Sequence, residues 1–513
     1  MVRRPFDSAR SVVNRFMALA GGILVLLAAM PAHARPLPPV PAVTDAQKSG
    51  DQADKADKGG GQKKKKDDQQ QTKKPKKPKK AKKPKTDVPS PDEKVDPEAA
   101  EQTAEGGKGV RLSWKQHPSL RLGSWFRADV EAKFQEDGRK TYPGAIGIDP
   151  WELHRNRVGV QGHLFKKIEY EVERELTEKE LTEKDISAGV APKSPWKDVN
   201  VNLTFIKNAQ VQLGRFKIPF GLDQLTGVTH NDFIFRSLGA NYLAPARDTG
   251  GMVHGRFFQH GLNYWAGVFR HDGDNARSRK IQGGDETVAM RVTGTPLRRA
   301  NRGAFSALEM GTAFTATSLS DDSFRPNGLR GRTLITQDTF FEPVYVKGRR
   351  YRWEGDADWT FGPGSMRAEF TQVLDTRLRQ GLGDETLGDA RARAWYVSGS
   401  WALTGEKKKR PLKPENDLFQ GGVGAIEVVA RFERLWFDSL GSGEPYRSPR
   451  AEFVLPEGEK VFTIGLNWTL NRFAKVQVNG IREDVERARN PVLPARFPAG
   501  AFWNRVVRLQ FVL

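Results

Sequence analysis

The sequence predicts an all-β fold: a transmembrane antiparallel β-barrel of about 16 strands, preceded by a disordered Lys/Pro-rich segment. Three observations predict it. After Met30 there is no long apolar run, and mean hydropathy is −0.60, yet the N-terminus reads as an export signal. From about Ser119 onward apolar and polar residues alternate over long stretches, the pattern of strands lying between two environments. The polar positions carry charges of both signs, as a water-filled lumen requires, and Trp and Tyr gather near stretch ends, where interfacial aromatic girdles belong. A soluble sandwich also alternates, but it does not need strands of about ten residues or more, which a tilted membrane crossing does.

Residues 1–34 read as a signal peptide. Arg3, Arg4, Arg10 and Arg15 form a basic start, Ala18 to Met30 an apolar run too short to anchor comfortably, and Ala32-His33-Ala34 a small-x-small cleavage site. The chain has no cysteine, which excludes disulfides, a lipoprotein anchor and Cys-based metal sites. Residues 35–109 show no apolar periodicity. Lys63 to Lys66 and the run Lys73-Lys74-Pro75-Lys76-Lys77-Pro78-Lys79-Lys80 mark a segment that cannot bury enough surface to offset its ordering entropy. It reads either as a solvated linker or as a tether to anionic envelope material such as peptidoglycan. The export signal argues against nucleic acid as a partner. Net charge is +3 over residues 1–34, +6 over 35–109 and +12 over 110–513. The barrel-sized part is therefore basic on its own account, which favours anionic solutes without choosing among them.

Residues 110–513 are expected to form the barrel. Leu120, Leu122, Phe126, Val130 and Phe134 share one face, and Arg121, Arg127, Asp129, Glu131 and Lys133 the other. Tyr351, Trp353, Ala357, Trp359 and Phe361 likewise oppose Arg352, Glu354, Asp356 and Asp358. The same division recurs at Ile426 to Glu433, Phe462 to Trp468 and Ala474 to Asn479. Asn471-Arg472 reads as a short periplasmic turn. The longer Gly-, Pro- and charge-rich joins at 376–390, 405–420 and 438–459 read as external loops. The final stretch, with Val507, Leu509, Phe511 and Leu513 on one face, is expected to close the barrel against its first strand.

Gly214-Arg215-Phe216-Lys217-Ile218-Pro219-Phe220-Gly221 closes an apparent strand directly before a long loop. This segment closely resembles the signature of the phosphate-selective porin O and P family. Trp401 to Glu406, Gly424 to Phe432 and Thr463 to Trp468 resemble later blocks of that family, in the same order, and the resemblance spans roughly residues 120 to 513. It implies an outer-membrane channel, a homotrimer, and a loop folded into the lumen with basic residues along an anion path. The matching loop begins after Phe220 and runs to about Gly251. Asn231 to Ser237 and Ala244 to Asp248 resemble family blocks in which an Arg follows an aromatic run or a proline. Arg236 and Arg247 are thereby the candidates for the constriction. A guanidinium offers paired hydrogen bonds to phosphate oxygens and stays charged at any relevant pH. The alternative is that each is tied up locally, Arg247 by Asp248 for instance. Arg215 and Lys217 flank the Gly-Pro break, where parity cannot assign them to lumen, rim or interface.

The predicted inward faces carry ten basic residues, Arg121, Arg127, Lys133, Arg291, Arg350, Arg352, Arg367, Arg431, Lys475 and Arg508. Eight acids face them: Asp129, Glu131, Glu354, Asp356, Asp358, Glu369, Glu427 and Glu433. Glu169, Glu171, Glu173 and Glu175 add an acidic row. That balance makes no strong anion filter, so the phosphate expectation rests on the resemblance. No His, Asp or Glu spacing matches a zinc site and no nucleophile motif is present; no catalytic residue, metal or cofactor is expected, and His254 and His260 read as turn or lumen polar groups. The expected function is passive diffusion of small hydrophilic solutes, with anions such as phosphate somewhat favoured and outer-membrane lipid as the surrounding partner. The alternatives are a structural barrel anchoring the envelope through its basic segment and, less favoured, a barrel lipid hydrolase. N-terminal sequencing of the exported protein is expected to begin at or near Arg35; an intact Met1 in the membrane fraction overturns the signal-peptide reading.

Overall fold

The computed structural model describes residues 109–513, apart from 115–116, 143–144, 146–147, 178–193, 259–260, 274–285, 299–302, 321–325 and 487–499. The expected signal peptide and Lys/Pro segment lie outside the described residues, as does His260.

A hairpin of β1 (Val110–Trp114) and β2 (Pro118–Leu122) leads into β3 (Phe126–Lys140), β4 (Trp151–Leu164), β5 (Ile168–Glu175) and β6 (Trp196–Leu203). Next come β7 (Gln210–Lys217), β8 (Arg247–Phe257), β9 (Leu262–Phe269), β10 (Thr287–Gly294) and β11 (Glu309–Leu319). Two very short strands, β12 (Gly331–Arg332) and β13 (Thr339–Phe341), pair only with each other. The chain ends with β14 (Gly348–Phe361), β15 (Gly364–Arg377), β16 (Leu387–Ala402), β17 (Ala425–Ser439), β18 (Glu457–Thr469), β19 (Ala474–Glu486) and β20 (Phe502–Val512). The large sheet has 18 strands, two of which are the β1–β2 hairpin; the other sixteen pair antiparallel in sequence order and close when β20 meets β3.

Closure uses the final strand as the sequence predicted. Val512 opposes Lys133, and Phe511 opposes Phe134 with ring centroids 6.4 Å apart. Leu513 exchanges backbone hydrogen bonds with Ala132, N to O 2.8 Å one way and 3.1 Å the other. Beyond that point β2 takes over the edge of β3, Ser119 opposite Asp129.

Burial is inverted relative to a soluble protein. Val130, Val160, Met290, Val292, Phe432, Ile464, Leu466, Val507 and Leu509 are exposed on the outside. Asp129, Gln135, Arg291, Arg352, Glu427, Arg431, Asn479 and Arg508 are buried inside. The alternation read from the sequence thus separates lipid from lumen, and each of the sixteen strands has a bonded neighbour on both sides. Exposed aromatics mark two rims. Trp125, Phe165, Phe205, Phe258, Phe305 and Trp401 lie at the end bearing the short turns, and Trp151, Trp196 and Trp503 at the end bearing the longer loops.

One join departs from expectation. Residues 405–420, read as an external loop from their composition, lie at the short-turn end: Lys408 N–H bonds Gly362 O (2.8 Å) and Leu418 N–H bonds Leu470 O (2.8 Å). Strand parity requires it, because exactly two strands separate this join from the Asn471-Arg472 turn. The joins within 376–390 and 438–459 are at the opposite, loop-bearing end.

Met290 is 53% exposed near the middle of β10, and its neighbour Arg291 points inward. Met290→Arg is expected to destabilise the refolded barrel in lipid by about 2–4 kcal/mol, the cost of a cation at the bilayer midplane. Met290→Leu should be close to neutral. Equilibrium unfolding in lipid vesicles checks this, and an equal cost for both variants would count against a lipid-facing Met290.

Candidate functional site in the lumen

Two segments from the loop-bearing end fold into the lumen. The first, residues 218–246, leaves β7 after Lys217; within β7, Gly214 has a φ of +122° that suits glycine, and a Cβ there would lie 2.3 Å from Val199 O. The bend turns Ile218 and Phe220 inward, where both are completely buried. Two short helices follow, α1 (Leu222–Leu225) and α2 (Leu238–Tyr242), the second capped by Ser237. The second segment, residues 326–347, carries the β12–β13 hairpin. Together they bury Ile234, Leu238, Leu243, Leu334, Ile335 and Phe341 against inward apolar residues of β15 to β20, Phe341 stacking on Phe437 at 4.3 Å. Tyr242 ties one to the other through its hydroxyl and Thr333 O (3.1 Å).

Wall side chains satisfy the backbone of 218–246. Glu369 accepts from Asp223 N (2.9 Å), Asn479 from Ile234 N (2.9 Å) and Glu433 from Leu238 N (2.6 Å). Arg508 donates to Ile234 O (2.7 Å), Arg431 to Phe235 O (3.1 Å), Arg352 to Leu243 O (2.7 Å) and Lys475 to Asn231 O (3.2 Å). Much of the charge predicted on the wall is therefore engaged in holding this segment.

The 403–424 join enters from the other end. Glu406, Lys408 and Leu412 turn inward and are buried, while Lys407 and Lys409 are exposed. Lys408 bonds Asp232 (2.7 Å) and Glu427, and Arg410 bonds Asp232 (3.3 Å), Asp358 (3.0 Å) and Ser365 (2.9 Å). Burial opposes ionisation of Asp232, but Lys408 and Arg410 hold its carboxyl well below the usual range.

The four candidate basic residues fall in distinct surroundings. Arg236 lies on the inserted segment, nine-tenths buried; its Nη2 donates to Thr226 O (2.7 Å) and its Nη1 has no partner among the described residues. Burial lowers its pKa to about 10, with Arg247 and Arg157 adding repulsion and Asp223 opposing it. Arg247 begins β8 and grips Asp198 by two nitrogens, at 2.7 and 3.1 Å, rather than the adjacent Asp248. Lys217 donates to Leu225 O (2.7 Å) and Thr226 O (3.2 Å), bracing the base of the segment. Arg215 donates to Trp196 O (3.0 Å).

The sequence reading missed Arg155 and Arg157 on β4. Arg155 lies within electrostatic reach of Arg157, Arg508 and Arg236, with Glu175 the one acid acting on it, and its Nη1 donates to the neutral Gln135 (2.6 Å). Arg157 pairs with Glu175 (2.7 Å) and Glu173 (3.1 Å), and Arg508 with Asp137 (2.6 Å). The signal was present as an Arg-x-Arg pair sharing strand parity. His254, predicted as a turn or lumen group, faces the lumen and meets Asn202 at 3.0 Å.

Inward groups that retain some exposure concentrate on β3 to β7: Glu131, Lys133, Gln161, Glu171, Glu175, Asn202 and Gln212 are all partly accessible. On β14 to β20 the inward charges are nearly all buried under the inserted segments.

A closed sixteen-strand barrel, apolar outside and polar inside with a loop folded into its lumen, is an outer-membrane channel of the porin class. The family model described as phosphate-selective porin O and P matches residues 144–513, and the chain belongs to that family. No curated protein matches the chain. Among solved structures, OmpT of Vibrio cholerae is similar at TM-score 0.47 and 10% identity, over 79% of this chain and 100% of that one. An anion-selective porin from Comamonas acidovorans scores 0.44 at 14% identity, over 75% and 99%. Salmonella typhi OmpF in complex with daunomycin scores 0.42 at 10%, over 76% and 98%. The family match, not these likenesses, carries the assignment.

Asp232→Asn removes one counter-charge from Lys408 and Arg410 while Glu427 and Asp358 remain, a loss of about 1–3 kcal/mol. Because the Asp232 pKa is depressed, its contribution is full above the ordinary carboxylate range, near 4, and is lost as pH falls below it. The variant is expected to show noisier single-channel current at neutral pH, resembling the wild type in strong acid. Equally quiet traces from both proteins across the acid range would show that Asp232 does not pin the segment.

Proposed function

We propose that the protein is a diffusion porin for small hydrophilic solutes that favours anions, phosphate among them, and that the preference is set where Arg236 meets β4. The observation that carries this reading is the state of two guanidinium groups. Arg157, Arg247 and Arg508 each have a carboxylate within 2.7 Å. Arg236 bonds a backbone carbonyl and leaves Nη1 unpartnered among the described residues, and Arg155 bonds an amide. Neither has a direct counter-charge, so both project positive potential toward a passing anion. Across the same sector Glu169 and Glu171 supply negative charge, which keeps the preference moderate.

Arg247, Lys217 and Arg215 belong to this reading as parts of the wall and of the base of the constriction. Assembly as a homotrimer, export through residues 1–34 and contact of the Lys/Pro tract with acidic envelope polymer complete it.

The test is the reversal potential in a salt gradient across a planar bilayer. The Arg155→Ala/Arg236→Ala double variant is expected to lower the anion-to-cation permeability ratio by roughly threefold. Arg352→Ala and Arg431→Ala remove backbone anchors and are expected to disturb loop order and conductance with little change in ion preference. A double variant that keeps the wild-type reversal potential sinks the proposal, and a wall variant that loses it relocates the filter to β14 and β17.

A further inference from the structure

Three glutamates lie on one inward row at the loop-bearing end: Glu433 on β17, Glu459 on β18 and Glu483 on β19. The register sets Glu459 diagonally from the other two, since Glu459 opposes Leu435 and Val485 while Val461 opposes Glu433 and Glu483. Diagonal positions are within reach of long side chains. All three are essentially inaccessible to solvent, at 1%, 0% and 0% exposure.

Two of the three have clear work. Glu433 accepts from Leu238 N (2.6 Å) and from Arg431 Nε (2.8 Å), tying down the 218–246 segment beside a cation. Glu483 accepts from Leu334 N (2.7 Å) and from Asn504 Nδ2 (2.6 Å), tying down the 326–347 segment with no cation among those partners. Glu459 sits between them, and neither of its oxygens has a donor among the described residues. The groups that act on it are Glu433 from β17, Glu483 from β19 and Tyr242 from the first segment; one step further out, Arg431 acts on Glu433, Arg332 on Tyr242 and Asp338 on Glu483. No group of three or more metal-ligating residues occurs among the described residues, so a bound metal ion does not account for the row.

A buried carboxylate without donors or solvent is far costlier than the neutral acid, and a second carboxylate beside it raises that cost. As a neutral acid Glu459 has an O–H to donate, and Glu483 is the acceptor beside it. We infer that Glu459 is a proton-operated latch: protonated, it lets Glu433 and Glu483 hold both inserted segments against the wall, and its ionisation releases them and widens the channel. The packed arrangement binds the Glu459 proton and the released one does not need it, so the packed arrangement is favoured at low pH and lost as pH rises. The device is independent of ion preference and stands even if Arg155 and Arg236 prove not to set selectivity.

The experiment is a conductance series for the full-length protein in planar bilayers at fixed salt, from about pH 6 to about pH 10. Wild-type conductance is expected to rise roughly twofold or more on alkalinisation, reversibly. Glu459→Gln, which keeps the shape but cannot ionise, is expected to stay at the low value throughout. A wild type whose conductance is flat with pH overturns the inference, and so does a Glu459→Gln variant that follows the wild type. If that variant fails to fold, hydrogen exchange of the wild-type Leu334 amide decides: protection lost together with the conductance rise supports the latch, and protection that persists through it overturns it.

Discussion

The interaction on which the rest of the structure depends is between wall side chains and the backbone of residues 218–246. A polypeptide segment placed inside a barrel loses most of its access to water, and its N–H and C=O groups then need partners. Short helices supply only a few. The remainder come from Glu369, Asn479 and Glu433 as acceptors and from Arg508, Arg431, Arg352 and Lys475 as donors. All lie on the inward faces of β14, β15, β17, β19 and β20, so the strand register of β14 to β20 fixes the path of the loop. The shape of the lumen follows from that path.

This constraint changes the meaning of the charges along the strands. A count of inward arginines against inward acids treats each as a free contribution to the field felt by a solute. Inside this barrel most are consumed. Arg291 pairs with Glu354 and Asp356, Arg350 with Asp272 and Asp375, and Arg367 with Asp358. Arg352 pairs with Asp272 of the β9–β10 join as well as with the loop; burial disfavours the charged Asp272, yet Arg352 and Arg350 lower its pKa to about 2. Such pairs contribute structure and little long-range potential. What a solute meets is the residue left without a counter-charge, and that is decided by tertiary contacts.

The same distinction separates what was legible in the sequence from what was not. Alternation at Tyr351 to Phe361 and Ile426 to Glu433 identified inward and outward faces correctly, because a strand's side-chain period is a local property of the backbone. Closure by the last strand was legible for the same reason, and the segment after Phe220 was legible through its family signature. The partner of Arg247 was not, since Asp198 lies 49 residues away on β6. Nor was the lack of a counter-charge at Arg155, whose cross-strand neighbour on β3 is the neutral Gln135. The 405–420 join shows a different failure. Its Lys- and Pro-rich composition resembles an external loop, but joins alternate between the two ends of a barrel, and the count of strands carried the better signal.

The inserted elements also break the symmetry of the pore. Apolar packing of 218–246 and 326–347 fills the lumen beneath β15 to β20, and the 403–424 join closes the same sector from the opposite end through Lys408 and Arg410. The partly accessible wall that remains is on β3 to β7, where acids outnumber bases. On the proposed reading a solute passes between a glutamate-bearing wall on β5 and arginines on β4 and the loop, close to one side of the barrel rather than along its axis. In that geometry the field runs across the passage, from arginine to glutamate, as well as along it. Under that proposal selectivity depends on how near the arginine side the loop backbone steers the solute, which returns the control to the wall hydrogen bonds that hold the loop in place.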